Sequence, residues 1–279
     1  MVACFVNRRL LLLCAVTALR VAPPELGFFH EERSLPIPSS PEVLRVVTWN
    51  LGQHEGHSIG PFLDQSKMDV LALQECSYNQ AGLRSGPGRA QLPHLSQASE
   101  FILLSRYPIL NAQMIVTQAS GRRGLRAARY EVQLPTWTVV VYNVHLPSPR
   151  KELKGQWLAI RPSESTRQFW QDQEMLMQQV LQHMESEVLP VVVCGDWNAP
   201  PVGPLYRRMT AQLTDAHMAF GGGAGYTFPG ALLNPLTLGK PWLRLDYILC
   251  NVECEVLQCE TEAPSEAQNA AVGAVLRIR

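Results

Sequence analysis

Six polar residues stand where chemistry could be done: Asn50 in Thr48-Trp49-Asn50, Glu75 in Gln74-Glu75, His145 in Asn143-Val144-His145-Leu146, Asp196 and Asn198 in Gly195-Asp196-Trp197-Asn198, and Asp246 in Arg244-Leu245-Asp246-Tyr247. The amide oxygen of an Asn and the carboxylate of a Glu are hard oxygen donors of the kind that octahedral Mg²⁺ prefers, with water completing its shell. A carboxylate and an imidazole held near them are the usual groups for moving a proton. Asp196 and Asn198 lie two apart, so one turn at a strand end brings both to one place. Each of the six ends or adjoins an apolar run, at residues 43–49, 70–73, 139–144, 191–194 and 245–249. Such short runs read as buried strands. Strands that deliver polar residues at their ends converge on a single cleft above a rigid scaffold.

The order and wording of these motifs resemble the endonuclease/exonuclease/phosphatase superfamily, metal-dependent phosphodiesterases that include DNase I-like nucleases, sphingomyelinases, deadenylases and inositol-phosphate phosphatases. The resemblance runs from about residue 43 to the C-terminus. Its most specific part is Gly195-Asp196-Trp197-Asn198 after Val191-Val192-Val193, together with the fixed order of the five motifs; Gln74-Glu75 or Asn143-Val144-His145 alone is weak. The resemblance implies an α/β four-layer sandwich, two packed and mostly antiparallel sheets flanked by helices. It also implies a Mg²⁺ (or Mn²⁺) site at Asn50 and Glu75, and an Asp196 that orients or deprotonates the attacking water. Asn198 then contacts the phosphoryl group, His145 donates to its oxygens, and Asp246 orients a C-terminal histidine. Residue by residue the alternatives are plainer: a surface carboxylate at Glu75, an Asx-type turn at 196–198, a structural His145, and an Asp246 that is a relic or bonds Asn269 as a purely structural contact.

The family's closing strand usually follows Ser-Asp-His and a small apolar spacer. Here the closing strand is 272–278, and Ala267-Gln268-Asn269 stands where Ser-Asp-His is expected. Starting instead at Ser265 restores a carboxylate at Glu266 but no imidazole, and no histidine follows His217. The expected function is therefore hydrolysis of a phosphoester, impaired by loss of the C-terminal catalytic His. The alternative is an inactive pseudoenzyme that binds a phosphorylated ligand or a protein partner; an altered tail is a third explanation. His54 and His57, in the loop after Asn50, are either substitutes for the lost imidazole or solvated loop residues.

The 279 residues fit a signal-like or anchor segment at 1–22, a Pro-rich linker at 23–41 and one domain at 42–279. Arg8-Arg9, the apolar stretch 10–19 and Val16-Thr17-Ala18 have the layout of a secretory signal, too short to span a bilayer. This points to a secreted or membrane-tethered protein; a hydrophobic N-terminal strand or a mis-assigned start would instead leave it cytoplasmic. The formal net charge is zero, which excludes a global basic field for nonspecific nucleic-acid binding, so a phosphoester must be recognised locally. Nucleic acid, phospholipid and sugar phosphate stay open as substrates, and a monomer is expected. Cys76 and Cys194 read as small buried hydrophobes, while Cys250 and Cys259 could face each other across a hairpin. Residues 77–97 read as a surface loop, 125–134 and 137–144 as a hairpin, and Ser163 as the cap of a helix reaching about residue 188 with a mostly apolar face through Phe169, Gln173, Leu176, Val180 and Met184. Arg122, Arg123, Arg126 and Arg129 form the densest basic cluster, suited either to substrate phosphates or to a charged loop entering a strand.

Overall fold

The computed structural model describes residues 40–52, 59–65, 67–76, 83, 87–153, 163–228, 241–261 and 269–279. The leader, most of the linker, His54, His57, Glu266 and Gln268 lie outside the described residues. The strands are β1 (Val43–Asn50), β2 (Val70–Gln74), β3 (His94–Ala98), β4 (Phe101–Ser105), β5 (Ile109–Ala119), β6 (Arg122–Gln133), β7 (Thr138–His145), β8 (Val191–Asp196), β9 (Thr214–Asp215), β10 (Asp246–Cys250), β11 (Cys254–Thr261) and β12 (Val272–Ile278). The helices are α1 (Gly60–Gln65), α2 (Pro87–Gln91), α3 (Arg150–Leu153), α4 (Glu164–Met184), α5 (Pro204–Thr210) and α6 (Ala216–Phe220).

These strands form two six-stranded sheets, ordered β11-β12-β1-β2-β4-β3 and β5-β6-β7-β8-β10-β9. Each has one parallel pair at its middle, β1 with β2 and β7 with β8, flanked by antiparallel neighbours. The C-terminal ends of β1, β2, β7 and β8 and the N-terminal ends of β10 and β12 therefore meet at one rim. The expected sandwich of two mostly antiparallel sheets with outer helices is the observed architecture.

Side chains alternate across a strand with period two, and this alternation places the site. Leu44 and Val46 of β1, Val70 and Ala72 of β2, Val139 and Val141 of β7, Val192 and Cys194 of β8, and Ile248 and Cys250 of β10 share one buried cluster between the sheets. Continuing each strand in steps of two gives Thr48 and Asn50, Gln74, Asn143 and His145, Asp196, and Asp246. The inner face thus turns from apolar to polar at the same end of five strands. The opposite faces are apolar toward the rim: Val47, Trp49, Leu71 and Leu73 pack outward with Ile59 and Leu63 around α1, while Tyr142, Val144, Val193, Tyr247 and Leu249 pack against Leu176, Met177 and Val180 of α4.

Helix α4 starts as expected, Ser163 Oγ accepting from Thr166 N at 3.2 Å, and ends at Met184 rather than near residue 188. Among the described residues no helix is long and apolar enough to cross a membrane. The expected 77–97 loop is corrected in its second half, where α2 and β3 form; β3 pairs antiparallel with β4 because ladder bonding to a buried neighbour outweighs the weak strand pattern of His94-Leu95-Ser96-Gln97-Ala98. The arginine cluster lies on β6, which is hairpinned to both β5 and β7. Its Arg129 is buried and bonded to Glu187 at 2.5 Å and Glu131 at 2.6 Å. Cys250 and Cys259 are not cross-strand neighbours, since β10 and β11 belong to different sheets; the five described cysteines are buried and none forms a disulfide.

Candidate functional site

A buried polar layer separates the core from the cleft. Gln74 Nε2 donates to Thr48 Oγ1 at 3.0 Å and to Asn143 Oδ1 at 2.6 Å, and Asn143 Nδ2 donates to the Leu73 carbonyl at 3.0 Å. These bonds join the sheets directly beneath the rim and fix the strand ends against one another.

Register does the next step. In the parallel pair His145 lies opposite Asp196, and in the antiparallel pair Asp246 lies opposite Asp196. Gly195 permits the first of these: its φ is +135°, and a Cβ there would sit 1.9 Å from the Val144 carbonyl oxygen. Beyond the strands, Glu75 and Asn198 take positive φ values of 49° each, a left-handed conformation uncommon outside glycine. Two strained non-glycine residues at one rim are the kind of outlier that clusters at working sites.

Above the polar layer, Asn50 Nδ2 donates to Glu75 Oε1 at 3.1 Å and to Asp196 Oδ2 at 2.9 Å, while Asn50 Oδ1 accepts from Gly52 N at 2.8 Å. His145 Nδ1 bonds Glu100 Oε2 at 3.1 Å, and its Nε2 lies 3.6 Å from Glu75 Oε1. Asn198 N donates to Asp196 Oδ1 at 2.8 Å and Asn198 Nδ2 to the Leu146 carbonyl at 2.9 Å. The Asx-type turn thus forms, and it holds both residues in the cleft. Asn269 Nδ2 donates to Asp246 Oδ2 at 2.7 Å and to Asp196 Oδ2 at 3.2 Å. All six residues singled out in the sequence meet here.

Charge follows from burial and neighbours. Burial alone would lower the His145 pKa, but the Glu100 bond and the charges of Asp196, Glu100 and Glu75 outweigh it and push it up to about 9, so the ring carries its proton at neutral pH. Asp196 is raised, chiefly by burial, against the opposing pull of His145, Asn198 and Asn50. Asp246 is raised well above the usual carboxylate range, by burial and then by the charge of Asp196, and its Oδ1 is buried with no hydrogen-bond partner among the described residues.

Sequence reasoning missed Glu100, which sits in the β3–β4 turn with no motif around it, and Arg150 and Phe228, which help line the cleft, a cavity of about 230 Å³. Arg150 stacks over the Phe228 ring at 4.9 Å. The Arg-Leu-Asp-Tyr motif divides its labour: Arg244 bonds Asp215 through both nitrogens at 3.1 and 2.8 Å, Tyr247 bonds the Ala199 carbonyl at 2.7 Å, and Asp246 alone faces the cleft. Thr227 Oγ1 accepts from the backbone N–H of Leu245 and Asp246 at 3.1 and 3.3 Å.

Among the described residues no three His, Cys, Asp or Glu side chains are grouped so as to hold a metal by themselves. The oxygen donors near one another are the carboxylates of Glu75 and Asp196, which meet at the Asn50 amide nitrogen while the Asn50 oxygen accepts from Gly52 N; with that amide turned over, the three would suit a hard cation retaining several waters and no closed protein cage.

A sequence model described as the Endonuclease/Exonuclease/phosphatase family matches residues 47–267. Comparison with the curated proteins returns no match. Among solved structures, the endonuclease/exonuclease/phosphatase from Bacteroides vulgatus is 18% identical with a TM-score of 0.59, covering 85% of this chain and 99% of that one. The humanized D. rerio TDP2 is 15% identical with a TM-score of 0.60, covering 84% of this chain and 99% of its own. The 3′ phosphatase NExo from Neisseria, solved with product DNA hairpin, is 17% identical with a TM-score of 0.56, covering 83% and 98%. At these identities the solved structures speak for the fold, and the family match, which takes in five motif segments ending on the rim just described, speaks for descent: the chain belongs to the endonuclease/exonuclease/phosphatase family.

Proposed function

We propose that the protein is a Mg²⁺- (or Mn²⁺-) dependent phosphoester hydrolase whose acid-base relay is weakened by an asparagine at position 269. The observation that carries this reading is the meeting of Asn50, Glu75 and Asp196 through one amide, 3.1 and 2.9 Å from the two carboxylates. Glu75, together with Asn50 once its amide turns its oxygen from Gly52 N toward Glu75, would hold the cation, which when bound offsets charge on a phosphoryl oxygen and supports the leaving oxygen. His145, protonated, donates to a phosphoryl oxygen. Asp196 takes the proton of the attacking water; its raised pKa strengthens it as a base. Asn198 has a second amide hydrogen beyond the one given to Leu146, available to the phosphoryl group.

The weak link is Asn269. An amide donates a hydrogen bond to Asp246 but cannot release a proton to a leaving group. A positioned acid-base group is worth roughly 10²- to 10⁴-fold, against total accelerations of about 10⁶ or more, so slow turnover survives its loss. We propose further that the chain is a monomer, exported or tethered through residues 1–22, on the signal-like layout of Arg8-Arg9 and the apolar stretch 10–19. A second reading, a pseudoenzyme that binds a phosphorylated ligand without turnover, is favoured by the Asn269 bridge, which occupies two carboxylates at once.

Millimolar Mg²⁺ should raise the melting temperature through linkage, Glu75→Gln should remove that rise, and bis(p-nitrophenyl) phosphate should be hydrolysed slowly and metal-dependently. An unchanged melting curve sinks the metal site. A metal-dependent rise without hydrolysis of any phosphoester replaces the enzyme by the pseudoenzyme.

A further inference from the structure

Beside the cleft lies a larger cavity of about 720 Å³, walled by the β5–β6 turn, the segment after β7 and the first half of α4. The two adjoin, with Ser148 and Arg150 bordering both. Its charged lining is Arg122, Arg126, Arg150 and Lys151 against two carboxylates, Glu152 and Asp172. Asp172 is already engaged, accepting from Ser120 Oγ at 2.5 Å and from Gln168 Nε2 at 3.0 Å. Since the whole chain is formally neutral, this positive excess is a local feature. It also reaches the cleft: burial raises the Glu100 carboxyl, but the His145 bond and the charges of His145 and Arg126 overcome it and hold it below its ordinary range.

Size argues in the same direction. The cleft, at about 230 Å³, is smaller than the roughly 300–1,000 Å³ of sites that enclose a whole organic ligand. A phosphoester whose reacting group sits between Asp196 and Glu75 must therefore extend out of it, and Arg150 lines the way into the larger space. Cations lining such a space recognise a further anionic oxygen group by charge-assisted hydrogen bonds, while Phe169, Leu176 and Ala119 supply apolar wall for an uncharged part.

We propose that this cavity is a second phosphate subsite, so that the preferred substrate carries another phosphoryl group besides the one hydrolysed. The proposal rests on the reading of the cleft as a phosphoester site and narrows its substrate class to soluble polyphosphorylated molecules, whether nucleotide or polyol. Lipids with a single phosphodiester lack the second group.

Calorimetric titration tests this without requiring turnover. The probes are thymidine 3′,5′-bisphosphate against thymidine 5′-monophosphate, and inositol 1,4-bisphosphate against inositol 1-monophosphate, with Mg²⁺ present. In at least one pair the bisphosphate should bind about tenfold tighter or more, the scale of one added charge-assisted contact, and the pair with the larger ratio identifies the source of the second phosphate. Arg122→Glu with Lys151→Glu, both exposed and outside the cleft, should abolish that ratio and leave monophosphate affinity within about twofold; Arg122→Gln with Lys151→Gln serves if the reversal unfolds. Ratios near one in both pairs, or a ratio that survives both variants, overturn the subsite. Because the ratio compares two ligands at one metal site, it is separable from failure of the cleft itself, which would show as an absent Mg²⁺ melting shift and no hydrolysis.

Discussion

Asn269 joins two buried carboxylates with a single amide nitrogen, 2.7 Å from Asp246 and 3.2 Å from Asp196. Replacing it with histidine, together with Gln268→Asp, should raise hydrolysis of bis(p-nitrophenyl) phosphate by on the order of 10²-fold, the scale of a positioned acid-base group, measured as kcat/KM with Mg²⁺. Asp246→Asn should change turnover little in the natural chain and strongly in the restored one, because residues that act as a unit are non-additive once one is gone. A large loss in the natural chain would mean that Asp246 works through another group. The six motif residues were legible because each is a polar residue at the end of an apolar run. Glu100 was not: it reaches His145 from a turn whose sequence carries no pattern, and nothing short of the β3–β4 pairing places it 3.1 Å from the ring.

At the scale of elements, two anchors hold the rim. Gly195 lets β8 pass against β7, so Gly195→Ala forces both a strained φ and a Cβ against the Val144 carbonyl. The cost should be at least about 3 kcal/mol, backbone strain alone accounting for roughly 1–3, read by urea denaturation; a loss below about 1 kcal/mol would show that the pair relaxes easily. Arg244 holds the entry to β10 through Asp215, both almost fully buried. Burial raises the Asp215 carboxyl, but Arg244 outweighs it and brings the pKa below its ordinary value. A depressed folded pKa contributes stability that is present above the unfolded value, near 3.9, and is lost as pH falls through the folded one. Arg244→Met strands a buried carboxylate and should cost about 3–5 kcal/mol at pH 7. The gap to the natural chain should begin to narrow above about pH 4, as burial without Arg244 lets Asp215 take up a proton in the variant, and should close as pH falls through the natural chain's lowered value; a gap independent of pH would assign the loss to packing. The elements that the sequence hid are β3 and β5. Both lie at sheet edges, and β5 alternates weakly, with much of its length exposed, so their strand character comes from a neighbour's ladder and not from their own composition.

Over the whole molecule, the core cluster draws on both sheets, and the cleft takes Asn50 and Glu75 from one and His145, Asp196 and Asp246 from the other. Neither half can keep its inner face dry alone. Trp49 and Trp197 pack on the outer faces of different sheets, so variants retaining one or the other as reporter should unfold with coincident denaturant midpoints; separated midpoints would make the sheets independent units. The apolar-to-polar change along five inner faces also bears on how the chain finds this arrangement. A one-residue slip of β8 would turn Asp196 outward among Leu176, Met177 and Val180 of α4 and leave the α4-facing valines to line the rim, since a shift of one exchanges the two faces of a strand. Burying an unpaired carboxylate costs several kcal/mol, so the helix cannot dock on a mis-registered β8 without that penalty. The polar residues at the strand ends therefore act as proofreaders of assembly, and a variant that made the rim apolar would gain local stability while losing the penalty that keeps each strand from settling one residue out of place.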